Sequence, residues 1–109
     1  MGAGDFFIMD YVPGKGRNSN LVGAVEVGYL QDGENVKVAG VGAWSDQDRR
    51  DMSSSEGTLK YEYYGRVMEV MAQGVTTHKR LRHPKFIRWR PDKQSYDCDK
   101  SELYGFRRV

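Results

Sequence analysis

Strand-like alternation recurs five times along this chain, cut off each time by turn-forming residues and interrupted once by a capped helical stretch. Asp5–Val12 sets Phe7, Met9 and Tyr11 on one side and Phe6, Ile8 and Val12 on the other, the two-residue period of a strand. Pro13-Gly14-Lys15-Gly16-Arg17-Asn18-Ser19-Asn20 collects the residues that turns require. Leu21–Leu30 reads as a second strand, with Leu21, Val25, Val27 and Tyr29 on the face of Gly23. Gly23 and Gly28 suit a bent strand or a close backbone approach. Asp32-Gly33 marks a hairpin turn into a third strand, Val36–Val41. Ser45, followed three residues later by Asp48, predicts the cap of a short helix ending near Ser53–Ser55. Lys60–Ala72 reads as a fourth strand bent at Gly65, Gly74–Pro84 as a loop, and Lys85–Arg90 as a fifth strand. The polar stretch from Gln94 onward predicts no element.

The fifth strand lies inside the densest cationic run. Simple alternation sends Phe86, Arg88 and Arg90 one way and Ile87 and Trp89 the other. Trp89 is thereby expected to pack in the body of the protein or against the helix. Two forked guanidiniums with Lys93 beside them suit a polyphosphate better than a carboxylate, and Asp92 can hold the cations in place.

Charge is distributed unevenly. Residues 75–93 carry seven Lys/Arg against one acid, while the remainder carries ten Lys/Arg against fourteen acids. A basic stripe on a mildly acidic body is a footprint for nucleic acid or nucleotide. At 109 residues the chain makes one domain with one modest core. No apolar run approaches a membrane span, and nothing at the N-terminus reads as a signal peptide. Cys98 is the lone cysteine, which excludes an internal disulfide and a multi-cysteine zinc site. His78 and His83 have no partners at ligand spacing, so no metal site is expected. A cytoplasmic, nucleoid-associated location is expected.

Three blocks, in order, resemble the C-terminal domain of ATP-dependent DNA ligases. Leu81-Arg82-His83-Pro84-Lys85-Phe86-Ile87-Arg88-Trp89-Arg90-Pro91-Asp92-Lys93 resembles that family's motif VI. The short form Arg-x-Asp-Lys, Arg90 to Lys93, is shared with mRNA capping enzymes, but the longer run looks like DNA ligase. Asp5–Arg17, then Gly23, resembles the family's opening strand and Gly-Lys-Gly-Arg loop. Val41-Gly42-Ala43-Trp44-Ser45-Asp46 resembles its Val-Gly-Thr-Gly-Phe-Ser-Asp block, one residue shorter. Five strands with a short helix after the third fit an OB-fold Greek-key barrel. Pattern alone also permits an SH3-like barrel, and the resemblance selects the OB fold. Residues 5–97 are then the barrel domain, 1–4 a start remnant or linker, and 98–109 a tail without assigned structure.

The resemblance implies that Arg88, Arg90, Asp92 and Lys93 contact the β and γ phosphates of ATP while a lysine of a neighbouring nucleotidyltransferase domain is adenylated. It also implies contact with nicked duplex DNA, for which Lys15, Arg17, Lys79, Arg80, Arg82 and Lys85 are the candidates. The chain contains neither the Lys-x-Asp-Gly nucleophile motif nor the later Lys-x-Lys motif of that neighbouring domain. By itself it is expected to be a monomer, inactive as a ligase and without bound cofactor, with ATP and Mg2+ belonging to the intact enzyme. Two alternatives fit the same residues: a free-standing OB module for single-stranded nucleic acid, and the equivalent domain of a capping enzyme or RNA ligase.

Overall fold

The computed structural model describes residues 1–109. Its elements follow in the order β1 (Gly2–Pro13), β2 (Val22–Gln31), β3 (Glu34–Val41), α1 (Asp46–Met52), β4 (Val67–Ala72), β5 (Gly74–Val75), β6 (Leu81–Arg82) and β7 (Lys85–Trp89). Short 3-10 turns lie at Gly16–Asn18, Tyr61–Tyr63, Ser95–Asp97 and Lys100–Gly105. The larger sheet runs β3-β2-β1-β4-β7, antiparallel throughout, and β5 and β6 form a separate hairpin.

β1 sits at the centre and divides its edges. Gly2–Phe7 pairs with β4, and Phe7–Pro13 pairs with β2. Register shifts interrupt the ladders at Ile8/Asp10, Val12/Pro13, Val27/Gly28 and Glu69/Val70. Each extra residue bends its strand and increases the local twist, which curls the sheet. Gly28 serves this curl by absence: a Cβ there would overlap the carbonyl oxygen of Val36. With one short helix after the third strand, the arrangement is a small OB-like barrel whose ladder ends at β3 and β7. No helix is long and apolar enough to cross a membrane.

Two local signals have the predicted form. The hairpin turn is Asp32-Gly33, with φ of 53° and 80°, the left-handed pair that Asp-Gly accommodates. The Ser45 hydroxyl accepts from the Asp48 amide at 3.0 Å.

Four expectations need correction. Gly2–Gly4, expected as a linker, are strand residues opposite Ala72, Met71 and Val70. Small residues carry no periodic signal, so backbone pairing recruits them unannounced. The stretch Lys60–Ala72 is not one strand: Tyr61–Tyr63 is a 3-10 turn, and Gly65, at φ 85°, reverses the chain before β4. The loop Gly74–Pro84 contains the β5–β6 hairpin. The polar tail is part of the core. Cys98, Leu103 and Phe106 are buried, and Phe106 stacks on Phe6 at 6.2 Å.

α1 contributes Arg49 and Met52 to the interior. Arg49 is 8% exposed and has no carboxylate partner. Its guanidinium donates to the carbonyls of Val22 and Gly23 at 2.7 Å each and to that of Gly42 at 3.1 Å. It thus closes the end of the sheet where β2 begins and β3 has just finished.

Candidate functional site

The bulge on β7 decides which side chains share a face. Glu69 pairs with Arg88 and Val70 with Phe86, so Ile87 is the extra residue. Phe86 therefore does not lie with Arg88 and Arg90, and Ile87 does not lie with Trp89. Ile87 is exposed, while Phe86 and Trp89 sit 5.0 Å apart in one aromatic cluster. Trp44 completes the cluster, stacked on Trp89 at 6.0 Å and tilted against Phe86 at 5.0 Å. Trp89 thus packs beside the start of α1, as expected, and anchors the strand from below.

Arg88 belongs to a row of charges across three strands. Asp5 on β1 faces Glu69 on β4, and Glu69 faces Arg88 on β7. Arg88 Nε meets Glu69 Oε1 at 2.8 Å, and the arginine side chain remains 60% exposed. Cross-strand pairs of this kind are the local unit of sheet stabilisation. Arg90 lies just beyond the strand, its amide bonded to the Val67 carbonyl. Its guanidinium reaches back to Asp5 at 3.0 Å and also holds Asp92 at 3.2 Å. Lys93 Nζ contacts the same Asp5 oxygen at 2.9 Å and Glu102 at 3.3 Å. Glu102 in turn accepts the Asp5 amide at 2.9 Å. The bonds from Arg90 hold the Asp92 carboxyl below its usual range, and the bond to Asp5 raises Lys93 above its own.

Asp92 holds Arg90 as expected, but Arg88, Arg90 and Lys93 are also anchored by acids that the sequence did not suggest, and two of these, Asp5 and Glu102, come from opposite ends of the chain. The ridge is nonetheless not folded into the core. Arg90 and Lys93 keep 22% and 24% of their side chains exposed. Both line an open cleft of about 460 Å³, together with Trp89, Pro91 and Arg66. Sequence reasoning missed Arg66. It lies 4.0 Å over the Tyr63 ring, donates Nε to the Glu62 carbonyl at 3.3 Å and makes no ion pair, so it is the cation of the cleft without a carboxylate. Its only sequence signal is its place after Gly65 and a cluster of tyrosines.

The other candidate cations fall into separate groups. Lys15 and Arg17 lie in an exposed loop whose turn needs Gly16 at φ 59°. Arg17 makes a loose, exposed contact with Asp46 at 3.4 Å, and Arg50 borders the same shallow hollow. Lys79, Arg80, Arg82 and Lys85 are exposed, and none makes an ion pair. They do not share one pocket: Lys85 and His83 border a hollow beside Met71, while Lys79 borders a groove against the tail. No cluster of three or more His, Cys, Asp or Glu side chains is arranged to hold a metal ion.

The fold recurs in solved ligases. The ligase domain of M. tuberculosis LigD superposes with a TM-score of 0.71 at 20% identity, covering 90% of this chain and 38% of that one. A mycobacterial DNA ligase D complexed with ATP and MES gives 0.63 at 19%, over 89% of this chain and 37% of that one. A Lig E DNA ligase gives 0.57 at 23%, over 81% and 30%. The chain thus spans well under half the length of these proteins. No curated protein matches it. A family model described as DNA ligase OB-like domain matches residues 13–90. With most of its length within that match and its fold shared with solved ligase domains, the chain belongs to the DNA ligase OB-like domain family.

Proposed function

We propose that this domain serves an ATP-dependent DNA ligase in two ways: it presents cations to the ATP triphosphate during lysine adenylation, and it grips nicked duplex DNA. The observation that carries the first role is the cleft beside β7, where Arg90 and Lys93 meet the unpaired Arg66. In the reaction, a lysine nitrogen on the nucleotidyltransferase domain bonds to the α-phosphorus and the bond to the β-phosphate oxygen breaks. Negative charge builds on departing pyrophosphate, and preplaced cations stabilise it. Arg88, Arg90 and Lys93 are assigned to the β and γ phosphates. Asp92, whose side chain is 67% exposed, orients Arg90 and yields to phosphate oxygens. Asp5 and Glu102 hold the other two contacts and keep the cations in place between cycles. ATP is the substrate, and it and Mg2+ would be bound in the intact enzyme by the neighbouring domain.

Arg90→Ala or Lys93→Ala, assayed with the nucleotidyltransferase domain present, should slow lysine-AMP formation by roughly tenfold or more, the worth of one charge-assisted hydrogen bond. Sealing of a pre-adenylated nick should suffer much less. Equal loss in both steps removes the triphosphate role.

For the second role, Lys15 and Arg17 are exposed on a loop with no close carboxylate other than Asp46. Lys15→Ala/Arg17→Ala should weaken binding to nicked duplex and flatten its dependence on salt. Tighter binding to single strands than to nicked duplex would favour the single-strand module instead.

A further inference from the structure

The β5–β6 hairpin and the C-terminal tail enclose a groove of about 250 Å³, floored by Val75, Leu103 and Phe106. Its rim is Thr76, Lys79, Lys100, Tyr104 and Arg108, and no acidic residue lines it. This differs from the cleft beside β7, where every motif cation has a carboxylate. Lys79, Lys100 and Arg108 make no ion pair. Three unneutralised cations around one concavity repel one another, and a polyanion relieves that repulsion.

The groove is also held in shape. Lys79 has φ 61°, a left-handed conformation that costs a non-glycine residue on the order of 1 kcal/mol. The turn enforces it: the Thr76 carbonyl accepts from Lys79 at 3.0 Å, and its hydroxyl accepts from the Arg80 amide at 3.2 Å. Glycine or asparagine would fit such a turn with less strain, and this one carries a lysine. On the opposite wall, Val75 binds the Arg107 carbonyl at 2.9 Å and the Val109 amide at 3.0 Å, which fixes Arg108 between them. Asp99, the nearest acid in sequence to Lys100, accepts the Ser101 amide at 2.9 Å, does not line the groove and makes no ion pair with Lys100.

We infer that this groove seats the phosphodiester backbone of duplex DNA, with Lys79, Lys100 and Arg108 as the phosphate-contacting side chains. The inference rests on the DNA-binding half of the function proposed above and adds to it a contact surface made by the tail. Thr76 and Tyr104 bring hydroxyl donors, and the apolar floor suits the sugar edge between phosphates.

The test follows the amide signals of the 109-residue chain during titration with a nicked duplex and, separately, with inorganic phosphate. Duplex should shift Thr76–Arg80 and Lys100–Arg108. Lys100→Ala/Arg108→Ala should then reduce the slope of log affinity against log salt by about 1.8, two contacts at about 0.9 each. Raising salt from about 50 to about 200 mM would then cost that variant roughly tenfold less affinity than it costs the unaltered chain. If this slope is unchanged while Lys15→Ala/Arg17→Ala flattens it, the groove assignment fails and DNA binding stands. If the unaltered chain shows neither duplex binding nor any shifted amide, both fail. Shifts at the groove with phosphate but none with duplex also overturn the assignment.

Discussion

Arg49→Met should lower the thermal unfolding midpoint by roughly 15 °C, the equivalent of about 3 kcal/mol in a domain of this size. Replacing a whole buried ion pair with hydrophobic side chains is often harmless, but Arg49 has no carboxylate partner to leave with it, so the expected size of this loss needs its own reason. The reason is the partners. Carbonyls of Val22, Gly23 and Gly42 converge on the guanidinium from the ends of two strands. They remain when the arginine goes, and methionine offers them no donor. Buried acceptors left unmatched cost about 1–3 kcal/mol each where water cannot reach them. Arg49→Lys should recover part of the loss, because one ammonium cannot span all three acceptors. A drop of only a few degrees for the methionine variant would mean that water enters and bonds the carbonyls. Two neighbouring surfaces would feel the change as well. Val22 follows the loop of Lys15 and Arg17, and Gly42 leads into Trp44, which stacks under Trp89 at 6.0 Å.

The second large effect is alkaline. Burial pushes the Cys98 thiol up to about 12, from an ordinary value of 9.0. Between those values the unfolded chain gives up a proton that the folded chain keeps. The folded state then binds more protons than the unfolded state, so stability falls as pH rises through this window. One such group contributes about 1.4 kcal/mol per pH unit. Lys93, raised by its bond to Asp5, and Tyr29, raised by burial alone, act in the same direction. Urea unfolding between about pH 8 and pH 11 should therefore show a steep decline. Cys98→Ala should be shallower by about one proton's worth, or about 1.4 kcal/mol per pH unit. Parallel profiles for the two chains would show that Cys98 ionises freely in the folded protein. At neutral pH the same burial should keep the thiol silent to alkylating reagents until the domain unfolds.

Much of this architecture is readable from residue order because its signals are local. Asp32-Gly33 forces a left-handed pair, and Ser45 caps a helix start, wherever they sit. The cationic run Leu81–Lys93 is equally local, and it led to β7. The failures share a different cause. Alternation cannot reveal a bulge, so one extra residue at Ile87 reassigns Phe86 and Ile87. Gly65 was visible as a bend, but the residues before it form a 3-10 turn and the strand starts only after it, at Val67. The tail's polarity concealed Leu103 and Phe106, two widely spaced apolar residues that find the core only when the barrel exists. Asp5 and Glu102 are 97 positions apart. Their convergence on Arg90 and Lys93 is a tertiary fact with no trace in the spacing of either end.

The divided first strand bears on how the chain assembles. Residues 7–41 can build their hairpins from neighbours close in sequence, whereas Gly2–Phe7 must wait for Val67–Ala72. Such distant pairings are slow, because the intervening chain must be closed into a loop before any contact rewards it. Asp5 lies in that waiting segment. Arg90 and Lys93 thus gain their shared counterion only once β1 pairs with β4, and a chain short of that pairing carries the ridge unorganised. If the ridge meets a triphosphate as proposed, that role therefore depends on the pairing of the two distant ends of the chain.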